Sequence, residues 1–140
     1  MATIPRTQMQ QMADEKILDA RLLLQNNRFS NAYYLAGYAV ELALKACVSR
    51  QFQTDVIPEK SLATAIWVHD LPKLVSLAGL QPALATRSAM DLPFRTNWGI
   101  VSQWGPDARY GQTTPQNATD LLDAVDDAQA GVLPWIKLYW

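Results

Sequence analysis

Between Phe29 and Phe52 the chain runs as a largely apolar stretch whose central part, Ala32 to Val48, carries one isolated charge pair, Glu41 and Lys45. From Ala32 to Val48 the remaining residues are Ala, Tyr, Leu, Gly, Val and Cys, with no sustained polar face. A helix that is apolar all round has to sit inside something. Lys45 follows Glu41 by four residues, so the two share one face with the acid N-terminal, the favourable order. Buried charge is costly unless it is paired. The pair therefore either fixes the register between helices or lines a cleft.

The chain has 140 residues, 49% hydrophobic and 18% charged, enough apolar material to fill the core of one domain spanning residues 1–140. A formal net charge of −1 provides no bulk positive field, so any nucleic-acid contact has to come from a local patch. The single cysteine, Cys47, falls inside the apolar helix, where it acts as a small hydrophobe. That usage fits a reducing, cytoplasmic setting. The first ten residues hold no apolar block of signal-peptide length. A membrane span of about 20 residues placed on the apolar helix would have to include Glu41 or Lys45, or Asn31 and Arg28, so a core helix and no membrane contact are expected.

Residues Thr7 to Asn26 carry Met9, Met12, Ala13, Ile17, Ala20 and Leu24 on one helical face, with Asp14, Glu15 and Lys16 opposite. Asn26 and Asn27 stop this helix, Ser30 is the expected N-cap of the next, and so short a link makes the two antiparallel. After a polar loop from Gln53 to Ser61, Leu62 to Val68 reads as a short helix. Asp70 caps a further one from Leu71 to Ala78, with Pro72 in its first turn and Gly79 as terminator. Gln81 to Met90 is Ala-rich and helical, Asp91-Leu92-Pro93 interrupts it, and Phe94 to Trp104 follows. Thr114 caps the last helix, with Pro115 at its first position. Ala118, Leu121, Leu122, Val125, Ala128 and Val132 form its apolar face, and Asp120, Asp123, Asp126 and Asp127 its wet one. No alternating β-branched run suits a sheet. The expected fold is all-α, an up-and-down bundle of four to five helices around Phe29–Phe52.

With one histidine, His69, and one cysteine, neither a two-histidine nor a cysteine-rich metal site can form, and no metal or other cofactor is expected. A Cys47–His69 nucleophile pair is disfavoured, since a thiolate is unstable among the apolar neighbours of Cys47. The ordinary role for His69, beside Asp70 at a helix start, is to pack or cap; the alternative is to touch a ligand. Trp98 and Trp104 suit core and interface packing better than base stacking. Arg109, beside Tyr110 in a turn, offers a planar cation to phosphate or carboxylate, or an ion pair to the acidic last helix. Neither a P-loop, a GxGxxG nor a nucleophile elbow is present.

Taken in order, Ala32-Tyr33-Tyr34-Leu35-Ala36-Gly37-Tyr38-Ala39-Val40-Glu41-Leu42-Ala43-Leu44-Lys45-Ala46, then His69-Asp70-Leu71 with Leu74, then Trp104 through Asp107-Ala108-Arg109-Tyr110, resemble the HEPN family, the higher eukaryote and prokaryote nucleotide-binding domains. The resemblance covers Ala20 to about Leu133. It implies a helical bundle that commonly dimerises, with a cleft near the two-fold axis. It also implies one of two functional types. Many members are metal-independent ribonucleases, often toxins or antiphage effectors, that use Arg-x4-6-His on a late helix; others lack that motif and bind nucleotides or partners, often beside a small nucleotidyltransferase.

Here Arg87, Arg95 and Arg109 are each followed at that spacing by no histidine. Without an imidazole the family's catalytic slot has no proton carrier near neutral pH. The resemblance therefore implies a non-catalytic, toxin–antitoxin-related domain that binds a nucleotide or polyanion, or docks a nucleotidyltransferase, in a dimer cleft. Lys45, His69, Arg95, Asn97, Arg109 and Tyr110 are the candidate contacts and no residue is assigned a catalytic role. The alternatives are a degenerate ribonuclease in which Arg95, Asn97 and His69 act together on RNA, and a purely structural interaction module in which Glu41–Lys45 only sets register. Five tryptophans and five tyrosines in so short a chain also suggest a homodimer.

Overall fold

A computed structural model describes residues 3–140, which form eight α-helices, one 3-10 turn and no strand. The helices are α1 Arg6–Gln25, α2 Phe29–Ser49, α3 Lys60–Ala65, α4 Leu71–Leu77, α5 Gln81–Met90, α6 Leu92–Val101, α7 Pro115–Asp126 and α8 Val132–Lys137; the 3-10 turn is Pro106–Tyr110. The all-α bundle matches expectation, whereas four to five helices were too few. The excess consists of short helices, α3, α4 and α8, beside the longer ones, and α8 is separate because Asp127 ends α7.

α2 is the axis of the molecule. It packs against α1, α4, α7, α8 and the 3-10 turn, and twelve of its residues, from Ala32 to Val48, are buried. α1 lays Met9, Ala13, Ile17 and Ala20 against it. α2 itself carries Ala32, Ala36, Ala39 and Ala43, all fully buried, small side chains that allow close packing of a neighbouring helix. The link between them is a Schellman turn: Asn27 sits at φ 60, its N–H donates to Leu24 O (3.1 Å), and Arg28 N–H donates to Leu23 O (2.8 Å). Asn27 thus stops α1 as expected.

Ser30, in contrast, does not cap α2, whose N-cap position is Arg28. Its hydroxyl instead accepts from Thr113 N–H (2.9 Å), tying the start of α2 to the segment before α7. α2 also ends earlier than Phe52, at Ser49. Two other caps are as read from sequence. Asp70 Oδ1 accepts from Lys73 N–H (2.9 Å) and Thr114 Oγ1 from Asn117 N–H (3.1 Å), while Gly79 takes the left-handed conformation, φ 72, that closes α4.

Asp91-Leu92-Pro93 interrupts the chain by starting a helix. Asp91 Oδ1 accepts from Phe94 N–H (3.0 Å), so α6 begins at Leu92 with Pro93 in its first turn, where no amide is missed. The last helix, expected to continue through Ala128 to Val132, is cut at Asp127. That residue leaves the helical region (ψ 131) and its Oδ2 accepts from Gln129 N–H (3.2 Å) and Ala130 N–H (2.6 Å). Asp127 is therefore a turn former, and Ala128 is exposed instead of packed. Gly131 then lies so close to the backbone of Asp127 and Val125 that a side chain there would collide with it. The break turns α8 back onto α2, α6 and α7. Phe94, Leu44, Leu71, Leu121, Leu133 and Ile136 fill the core between them. No helix of the described residues is long and apolar enough to cross a membrane.

Candidate polar and aromatic strip on α2

Glu41 is the one buried charged residue among the described residues. Both of its oxygens are occupied: Oε2 takes Lys45 Nζ at 3.2 Å and Oε1 takes His69 Nδ1 at 3.0 Å. The first contact follows from helical spacing, since Lys45 lies one turn on. The second comes from tertiary structure. α4 packs on α2, and the extended residues before its Asp70 cap bring His69 against the middle of that helix.

Charge and exposure divide the cluster. The Glu41 side chain is 6% exposed, Lys45 13% and His69 55%, so the carboxylate forms the floor and the imidazole the rim. A carboxylate on Nδ1 orients the ring and leaves Nε2 toward solvent. The Lys45 ammonium has three donors and gives one to Glu41, so the others remain for a ligand.

Tyr34 and Tyr38 continue the same face of α2 toward its N-terminus, because positions 34, 38, 41 and 45 differ by three or four residues. Their rings meet edge to face at 5.9 Å. Burial first, then Glu41 and Tyr34, push the Tyr38 phenol above its ordinary pKa, so it stays a neutral donor. Trp104 lies against Gly37 and 6.1 Å from Tyr34. Only a glycine admits the indole there, since a Cβ would overlap the ring. The indole Nε1 is buried with no hydrogen-bond partner. This Trp104 packing agrees with the structural role inferred from sequence.

The 3-10 turn closes the N-terminal end of the strip. Its Arg109 guanidinium sits 4.9 Å from the Tyr110 ring, and Tyr110 is 78% exposed. Tyr110 and, more weakly, Tyr34 raise the guanidinium's pKa, so it carries its charge at any working pH. The ion pair to the last helix considered for Arg109 belongs to Arg21, which reaches Asp126 (3.2 Å) and Asp123 (3.6 Å) from α1.

Arg95 and Asn97 lie elsewhere. Asn97 Nδ2 donates to Ala130 O (2.9 Å), tying α6 to the α7–α8 turn. Arg95 is exposed on α6, a helix that packs chiefly on α5, α7 and α8. The trio Arg95, Asn97 and His69 is thus not assembled within this chain. Nor is a Cys47–His69 pair: Cys47 Sγ donates to Ile136 O (3.8 Å), and burial pushes its thiol up to about 11.

One residue went unnoticed in the sequence. Trp67 is a 69% exposed aromatic two positions before His69 in the chain. Its signal was a lone tryptophan between a short helix and the His-Asp cap, a place where packing does not call for one.

Compared with protein-family models, with curated proteins and with solved structures, the chain matches none.

Proposed function

We propose that this chain is a non-catalytic HEPN-like domain that binds a nucleotide or short polyanion along the α2 strip. The observation that carries this is the placing of Lys45 and His69 side by side on one buried carboxylate, on a helix otherwise free of charge. Burying Glu41 is costly. What it supports is a fixed lysine and a fixed imidazole at the rim, a pair of nitrogens suited to phosphate oxygens. Arg109 supplies a second cation at the other end, and from Tyr34 to Lys45 the strip runs roughly 16 Å at helical rise. Tyr110 and Trp67 offer exposed π-faces on which a base could stack. The helical resemblance and the missing Arg-x4-6-His point the same way, to binding without strand cleavage.

Titration calorimetry with ATP and with a short oligoribonucleotide tests this. Wild type is expected to bind with an affinity that falls as salt rises. Lys45→Met and Arg109→Ala are each expected to weaken it about tenfold, the loss of one charge-assisted contact. No heat with either ligand at low salt removes the proposal.

A further inference from the structure

His69 is the one histidine of the chain, and its ring is anchored through one nitrogen. Glu41 Oε1 takes Nδ1 at 3.0 Å, while 55% of the side chain is exposed. A carboxylate has no proton to give, so Nδ1 is the donor and the neutral ring carries its lone pair on Nε2. The helix beneath fixes that arrangement: the Glu41 side chain is 6% exposed and is pinned through its other oxygen by Lys45 at 3.2 Å. A histidine that served only to pack would be covered, and one that served only to cap α4 would bond to that helix's amides. Here the cap is Asp70, whose Oδ1 accepts from Lys73 N–H (2.9 Å).

Three properties coincide at this point of the surface. The Nε2 lone pair, on the outer side of a half-exposed ring, is a nucleophile. Across the ring from it, a buried anion holds Nδ1–H, placed to offset the positive charge that the ring acquires when Nε2 forms a bond. An ammonium, Lys45, shares that carboxylate and keeps two of its three N–H donors for the oxygens of an incoming anion. Tyr38, whose phenol also feels Glu41, stays neutral and adds no repelling charge.

We propose that His69 Nε2 is a phosphoryl acceptor, taking a phosphoryl group from a P–N donor of the phosphoramidate class. This role rests on the strip being an anion site, the reading proposed above, since Lys45 has to hold the phosphoryl oxygens. The Nε2 lone pair forms the new N–P bond as the donor's P–N bond breaks. The departing nitrogen, protonated in the donor, takes the bonding pair and leaves as a neutral amine. Nδ1 keeps its proton, so the ring becomes a phosphoimidazolium whose positive charge is paired with Glu41. One P–N bond replaces another, and no further co-reactant is required.

Treating the full chain with phosphoramidate at near-neutral pH, followed by intact mass spectrometry, tests this. Wild type is expected to gain a single phosphoryl group, about 80 Da, that is lost on brief acid treatment. Nitrogen-15 NMR is expected to place it on Nε2, and His69→Gln is expected to gain none. Glu41→Gln and Lys45→Met, each with an unchanged helical circular dichroism spectrum, are expected to react about tenfold more slowly. Should either variant fail to fold, the other and the NMR assignment still decide. Four results would each overturn the role: no addition to wild type, the same addition to His69→Gln, a phosphoryl group on Nδ1, or folded positioning variants that react as fast as wild type. Calorimetry of the unmodified chain with ATP separates this role from the reading beneath it. Heat without an addition removes the acceptor alone, an addition without heat removes nucleotide binding and leaves the acceptor, and the absence of both removes the two together.

Discussion

Glu41 and His69, 28 residues apart in the chain, meet at 3.0 Å, carboxylate Oε1 to imidazole Nδ1. With Lys45 on the other oxygen, the buried acid holds two partners from two elements and so joins α2 to the start of α4. Removing the acid leaves a mostly buried ammonium without its counter-ion. Glu41→Ala is expected to cost about 3 kcal/mol in urea unfolding, in the range measured for breaking a buried pair from one side. The double variant Glu41→Leu/Lys45→Met is expected to recover most of that loss, since it leaves no charge behind. It is also expected to abolish nucleotide binding, which separates a ligand role from a register role.

The seat of Trp104 on Gly37 gives a second expectation. Alanine in mid-helix ordinarily gains about 1 kcal/mol over glycine. Here its methyl would overlap the indole, and overpacking of that kind costs about 1–3 kcal/mol. Gly37→Ala is expected to be destabilising on balance, with a shifted tryptophan emission spectrum as Trp104 is displaced. Thermal unfolding followed by fluorescence reads both effects.

Asp91 sets an acid limit. The Phe94 amide it accepts from holds its carboxyl below the usual 3.8; desolvation opposes this, and the hydrogen bond and charge of Arg87 add to the lowering. A depressed folded pKa means that the unfolded chain takes up the proton first. The contribution of Asp91 is therefore complete above pH 3.8 and is lost as pH falls through the lower folded value. Asp91→Asn is expected to flatten the fall in stability below pH 3.8, measured by denaturant unfolding across that acid range.

Cys47 behaves in the opposite sense. Its thiol is raised from 9.0 to about 11 by burial, so in the folded chain it remains protonated where the unfolded chain would ionise. Its contribution is intact below pH 9.0 and is lost as pH rises through about 11. Native protein at pH 8 is expected to resist iodoacetamide, and protein in denaturant to react at once, as intact mass spectrometry would record.

What the sequence made legible was what local chemistry decides. The apolar run around Glu41 and Lys45, the Asn27 stop, and the Asp70 and Thr114 caps each depend on residues within one turn of each other. The Ser30 hydroxyl was misassigned because its partner, the Thr113 amide, is supplied by a distant segment. Asp127 was read as a wet-face residue because its helical spacing from Asp120 and Asp123 is correct; its competing bonds to Gln129 and Ala130 are what end the helix. At the candidate site, the Glu41–Lys45 step was visible and the His69 contact was not, since no periodicity reports which loop a packed helix delivers. The hydrogen bond of Asn97 to Ala130 O was not legible for the same reason: that carbonyl lies on another element.

The three-residue hinge between α1 and α2 also bears on how the chain reaches its fold. Neighbouring helices joined so tightly form contacts of short sequence separation, which closes the smallest loop available and favours rapid collapse. On that hairpin pack α7 and α8, brought from the far end of the chain. Amide protons in the middle of α2 should accordingly be the last to exchange with solvent, and those of α5 among the first.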